Sequence, residues 1–349
     1  MSGWRPKRKL PKQSELPQQW STALPDYVNA LRFSPAGTLL AAATLAGPVV
    51  VLDAAQGDIR YQLDGHAGGS FAVAWSPDGK LLATSGQDGM VHLVDATTGS
   101  LVAQMEGGDA WVEHVTWSPD SQYLAAAAGK VAQIFSAQGK ILTEVKSHAS
   151  TISSLVWLPQ AELLVTSCYG GLQFLSLEDA QPVKRYGWKG SILSLVVTPD
   201  GKYLASGNQD NSVHVWRAHN GEDFQMGGYP TKVTTLAFSA NSHTLATGGG
   251  KEIALWDFSG KGPAGKKPTI LNGHTGLITD LVFARMSGQQ RLLSVGRDGL
   301  LCTWAPNLSP RTISLTNGDA PLERVAADPQ GRLIAVADKV GRVSVFVHQ

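Results

Sequence analysis

The stretch "SFAVAWSPDGKLLATSGQDGMVHLVDATTGSLVAQMEG" occupies residues 70–107. It holds three short apolar runs, "SFAVAWS", "LLATS" and "VHLVD", and a more polar fourth, "LVAQMEG". Turns of the type "SPDGK", "QDGM" and "ATTGS" separate them. Pro, Gly and Asp at those breaks supply what a reversal needs: a fixed φ, a positive φ, or a side chain that caps the turn. The runs are too short for helices and carry the composition of strands. The stretch reads as four antiparallel strands in succession.

The same unit recurs along the chain. "VNALRFS" (28–34), "SFAVAWS" (70–76), "VEHVTWS" (112–118), "ISSLVWL" (152–158), "ILSLVVT" (192–198), "VTTLAFS" (233–239), "ITDLVFA" (278–284) and "LERVAAD" (322–328) align without gaps. The next residue is Pro35, Pro77, Pro119, Pro159, Pro199 or Pro329 in six repeats, and Ala240 or Arg285 in two. Successive spacings are 42, 42, 40, 40, 41, 45 and 44 residues, the period of a four-stranded propeller blade. Although 349 residues would ordinarily suggest two domains, eight such units fill the chain as one.

Composition narrows the class. An apolar fraction of 43% supports a full core, and 38 Gly with 18 Pro fit many tight turns. A net charge of +1 argues against bulk attraction to nucleic acid or membranes. The charge is uneven, because Arg5, Lys7, Arg8, Lys9 and Lys12 precede the first acid, Glu15. Residues 1–14 are therefore expected to form a disordered basic arm ahead of a propeller over 15–349. Cys168 and Cys302 lie far apart and suggest a reducing, cytoplasmic setting. The opening "MSGWRPKRKLPKQ" lacks the apolar run of a secretory signal, and no stretch of about 18 apolar residues offers a membrane span.

Gly65-His66 and Gly273-His274 stand at repeat starts, and Trp256-Asp257 closes a third strand. With these residues the chain resembles the WD40-repeat β-propeller family, as a bacterial-type member of about eight repeats. The resemblance implies a buried tetrad of His, Ser or Thr, Asp and Trp within a blade. The seventh repeat matches all four positions with His274, Ser294, Asp298 and Trp304. The fifth has Ser206, Asp210 and Trp216 but Trp188 in place of His, and the second has His66, Thr84 and Asp88 but Val94 in place of Trp. The eighth repeat, which ends on "GRVSVFVHQ" (341–349), supplies three strands. The family implies that "ELPQQWSTALP" (15–25) adds the fourth and closes the ring. The expected fold is all-β, a single eight-bladed propeller with seven blades as the alternative.

Catalytic and metal signatures are sparse. His66, His148 and His274 occupy the tetrad position, while His92 and His214 sit in third strands, where a ligand role is not expected. There is no H-E-x-x-H, no C-x-x-C, and no glycine cluster that opens a helix. The expected function is a non-catalytic scaffold for protein–protein interaction, with no cofactor. The alternative is a small-ligand binder or a quinoprotein-like enzyme, because "DATTGSLVAQ" (95–104) resembles the D-x-x-T-G-x motif of those propellers without its terminal Trp. The expected partners are proteins, bound by a monomeric propeller. No membrane is expected, and nucleic acid only through the basic arm.

The resemblance also orients the disc. Turns between repeats share a top face with the "QDG"-type turns, and "SPDG" and "ATTG" turns share the bottom. The family's top-lining positions fall on Tyr27, Asn29, Phe71, Trp111, Glu113, Leu193, Lys232, Leu277, Thr279 and Glu323, with Gln87, Tyr169, Gln209 and Arg297 from the turns. Tyr27, Phe71 and Trp111 are expected to cluster as an apolar centre, with Asn29, Gln87, Glu113 and Arg297 as its polar rim. Asp338, in a repeat without a tetrad, is expected to matter less to stability than Asp298.

Overall fold

Most repeats turn where a side chain at the end of the first strand can hold the next residues. Ser76 Oγ donates to Asp78 Oδ1 at 2.6 Å and accepts the Leu81 N–H at 3.0 Å. Ser118 does the same with Asp120 and Tyr123, and Ser239 with Asn241 and Thr244. Such side-chain turns satisfy backbone groups that the strands leave open. Ser121 and Ser242 stand at φ of 64° and 63°, where other repeats place glycine. Their hydroxyls accept the N–H of Asp78 and Asp200 at 3.0 Å, so the strained serines tie neighbouring blades together.

The computed structural model describes residues 16–348 apart from 161, 162, 180, 306–308 and 318, with only the backbone described for 309–317. The basic arm expected over residues 1–14 lies outside the described residues. Eight four-stranded antiparallel sheets follow one another. Blades 1 to 7 span 28–63, 70–106, 112–145, 154–188, 192–226, 235–272 and 278–317. Blade 8 combines three strands within 322–347 with Gln18–Ala23, which pairs antiparallel with Arg342–Val347. The ring therefore closes as the sequence implied, with eight blades rather than seven. Closure gives the strand Arg342–Val347 a partner and removes the edge it would otherwise expose.

The core lies between blades. Each of eight buried apolar clusters draws on two neighbouring sheets, as where Leu31, Leu40 and Val50 of blade 1 meet Ala335, Val343 and Val345 of blade 8. On one side of the ring, tryptophans add a second link. Trp75, Trp117 and Trp157 donate their indole N–H groups to Arg32 O, Ala74 O and Thr116 O of the preceding blade.

Repeated backbone bonds assign the faces. Gln87, Gln209, Arg297 and Lys339 each donate an N–H to the segment that precedes their own blade, so those segments and the second turns share the top. Ala54, Ala96, Ala137 and Ala218 likewise tie the third turns to the first turns on the bottom. In six inner strands the register shifts between the first and third residues. The skipped residues are Asn29, Phe71, Glu113, Leu193, Thr279 and Glu323. A bulge re-aims the side chain it carries, and here it does so at the inner rim of the top face.

Candidate protein-docking face

Beneath the top face, blade 7 holds a complete side-chain network. His274 Nδ1 lies 3.0 Å from Asp298 Oδ1, its Nε2 lies 2.7 Å from Ser294 Oγ, and Trp304 Nε1 donates to Ser294 Oγ at 2.9 Å. Asp298 also accepts the N–H groups of Thr275, Gly276 and Leu300. Burial alone would raise its pKa. The His274 bond and the backbone N–H groups outweigh that effect and hold the carboxyl below its ordinary range. Every polar atom of the network is spent on holding the turn.

The other blades vary this arrangement. His66 bonds Asp88 and Thr84, both at 2.9 Å, and His92 stacks on it with centroids 4.3 Å apart. In blade 4, His148 bonds Thr166 Oγ1 at 2.7 Å and the Lys130 carbonyl at 3.0 Å, so a backbone oxygen stands where the carboxylate would be. Blade 5 does not assemble the tetrad. Trp188 stacks on His214 at 3.9 Å, Ser206 turns to Asn208, and Asp210 accepts from Ser212. In blade 6 Tyr229 takes the histidine's place, with its hydroxyl 2.7 Å from Thr247 Oγ1 and 2.8 Å from Trp256 Nε1. The sequence reading missed this one. Tyr229 precedes Thr247 by 18 residues, the same interval as His66 to Thr84 and His148 to Thr166. Asp338, in the blade without a tetrad, is buried and accepts the N–H groups of Val340 and Arg342, fewer bonds than Asp298 makes. Its removal therefore leaves two backbone groups unpaired.

His66, Asp88 and His92 bring three possible metal donors within 4.8 Å of one another. Both His66 nitrogens are already hydrogen-bonded, and rings stacked at 21° direct their in-plane lone pairs side by side rather than toward one point. The cluster suits packing better than coordination.

Burial pushes His148 and the channel-facing His114 down to about 4 from 6.5. The unfolded chain then binds more protons than the fold between those values. Their contribution is present above about pH 6.5 and lost as the pH falls toward 4. Melting temperature is expected to decline across that window, before the depressed carboxyls Asp88 and Asp298 titrate. A flat profile from pH 7 to 4 would contradict this assignment.

On the face itself, the structure brings some expected residues together and separates others. Phe71 and Trp111 pair with centroids 5.6 Å apart, and Trp111 keeps 54% of its surface exposed. Tyr27 is drawn instead to Glu323 and Arg324, with Arg297 also nearby, where its phenol finds charged partners. The apolar centre is therefore a pair, not a triad. Asn29 Nδ2 donates to Ser70 O at 2.8 Å, so it joins blades 1 and 2 rather than facing solvent freely. Gln87 is half-buried, while Glu113, Tyr169, Gln209, Lys232 and Arg297 are exposed. Leu193, Thr279 and Glu323 are half-buried, and Leu277 is exposed.

The family model described as the WD domain, G-beta repeat, matches residues 180–217 and 224–257. That of the anaphase-promoting complex subunit 4 WD40 domain matches residues 66–120. The first two matches run from the outer strand of one blade through the third strand of the next, and the last spans blade 2 and the first strand of blade 3. The chain is a WD40-repeat β-propeller. Among curated relatives of this WD40 propeller, telomerase protein component 1 of Rattus norvegicus is 26% identical over 58% of the chain and 8% of the relative. Protein hir1 of Schizosaccharomyces pombe is 26% identical over 47% and 22%, and the 66 kDa stress protein of Physarum polycephalum 28% over 34% and 19%. The chain thus spans less than a quarter of the length of each of these relatives. The crystal structure of the computationally designed Ika8 protein superposes with a TM-score of 0.81 at 19% identity, covering 96% of this chain and all of that one. That likeness concerns the fold.

Proposed function

We propose that this WD40 propeller is a non-catalytic scaffold that docks other proteins on its top face. One observation carries the reading. Among the described residues, the large apolar side chains left exposed include Leu45, Trp111, Tyr169, Leu277 and Val340 on top-face turns. The others lie on or beside outer strands, and none lies on a bottom turn. Apolar side chains exposed among polar groups on one face mark a site of association. The Phe71–Trp111 pair gives that face an aromatic anchor of the kind that dominates interfaces. The matches also support it, since one family model is of a complex subunit and one relative is a protein component. Two unpaired, buried cysteines fit the cytoplasm as its location.

The test compares captured proteins from the native host, identified by mass spectrometry, for the wild type, Trp111→Ala and Lys80→Glu. Lys80 sits on a bottom turn. Trp111→Ala is expected to weaken binding by about 2 kcal/mol or more, roughly thirtyfold, with little change in melting temperature. Lys80→Glu is expected to bind as the wild type does. Normal binding by Trp111→Ala, with loss in Lys80→Glu, would place the interface on the bottom.

A further inference from the structure

The central channel carries on its wall Arg32 and His114, side chains for which neither the blade cores nor the docking face accounts. A cavity of about 500 Å³ lies along its wall, bounded by Arg32 of blade 1, by Glu113, His114 and Thr116 of blade 3, and by Trp75 and Trp117. Arg32 forms no ion pair among the described residues. Its one hydrogen bond runs from Nη1 to the Leu31 carbonyl at 2.9 Å, so Nε and Nη2 remain to donate. The nearby countercharge, Asp280 of blade 7, is already shared. It accepts the N–H groups of Leu281 and Val325 at 2.9 and 3.0 Å and also faces Arg324, which itself bonds Asn29 O and Glu323 O. His114 lines the same cavity and is kept neutral, and neither ring nitrogen has a hydrogen-bond partner among the described residues. A ring nitrogen that lines a cavity without a partner in the chain is free to bond a group that enters it. The indoles of Trp75 and Trp117, pinned by their N–H bonds to Arg32 O and Ala74 O, present fixed apolar walls.

We propose that this channel cavity binds a small organic oxyanion, its charged head held by Arg32 and His114 and its apolar body lying against Trp75 and Trp117. A guanidinium with free donors recognises a carboxylate or phosphate through charge-assisted bonds. The volume suits a ligand larger than an inorganic ion. Glu113 borders the same cavity and disfavours a second negative charge, so a carboxylate is preferred to a phosphate dianion.

The experiment is calorimetric titration of the full chain at pH 7.5 and constant ionic strength with benzoate, phenyl phosphate, benzamide and inorganic phosphate. Benzoate is expected to bind, phenyl phosphate more weakly, and benzamide and inorganic phosphate not measurably. Arg32→Gln and His114→Phe are each expected to weaken benzoate binding by about tenfold or more, the loss of one hydrogen bond to a charged group. Circular dichroism checks that both variants fold, and two variants on different blades keep the test informative if one does not. Absence of benzoate binding would overturn the site, as would equal binding of benzamide or unchanged affinity in both variants. Tighter binding of phenyl phosphate would overturn the limit set by Glu113.

Discussion

A chain lacking residues 1–25 is expected to lose its cooperative melt or to aggregate on purification. The strand Gln18–Ala23 supplies the outer strand of blade 8, and its loss opens the edge of Arg342–Val347. Trp20, whose indole donates to Ala54 O at 3.0 Å, and Leu24, buried between blades 8 and 1, go with it. Removing one large buried apolar side chain costs about 2–5 kcal/mol, and here the strand's backbone bonds are lost as well. Deletion of residues 1–12 alone takes away basic residues but no part of that strand, so its melting temperature is expected to match the full chain. If the longer deletion melts like the full chain, the N-terminal strand does not hold the ring closed.

Trp304→Ala is expected to be among the most damaging single changes in the propeller. Trp304 is fully buried between blades 6 and 7, and its Nε1 is bonded to Ser294. Truncating such a side chain costs about 3–5 kcal/mol through lost contacts and a residual cavity. Trp304→Phe removes mainly the hydrogen bond, and Asp298→Ala removes the acceptor of His274 and of three backbone N–H groups. Of these, only Nδ1 of the fully buried His274 ring is left without a partner, at about 1–3 kcal/mol, because the N–H groups lie at a partly exposed turn where water can replace the carboxylate. Denaturant midpoints are expected to fall in the order Trp304→Phe, Asp298→Ala, Trp304→Ala, with the last lowest. Equal midpoints for Trp304→Ala and Trp304→Phe would show that the pocket collapses around the loss.

Blade number was legible in the sequence because turn residues recur at nearly constant intervals, whereas ring closure and the two faces came from the family resemblance. A reversal needs Pro, Gly, Asp or Ser at fixed places, whatever the blade contains. The tetrad was legible where the residues themselves recur, as in blade 7. It was missed in blade 6, where Tyr229 offers one hydroxyl in place of an imidazole and only the interval to Thr247 is retained. The top-face positions came from the family resemblance, and bulges fall on the six that are second in their inner strands. Side-chain direction on that face was not legible. Tyr27 and Phe71 hold related positions, yet Tyr27 leans toward Glu323 while Phe71 meets Trp111. That choice depends on the neighbouring blade, which a single repeat does not encode. The turn bonds of Asp338 were not read from the sequence for a similar reason, because it holds its own turn rather than joining a tetrad.

The central claim, protein recognition on the top face around Phe71 and Trp111, is tested most directly by hydrogen–deuterium exchange of the propeller with and without a captured partner. Protection is expected in the top segments 64–71, 87–90 and 107–113, with the bottom turns 76–80, 118–122 and 198–202 unchanged. Protection confined to those bottom turns, with the top segments exchanging as in the free protein, would contradict it.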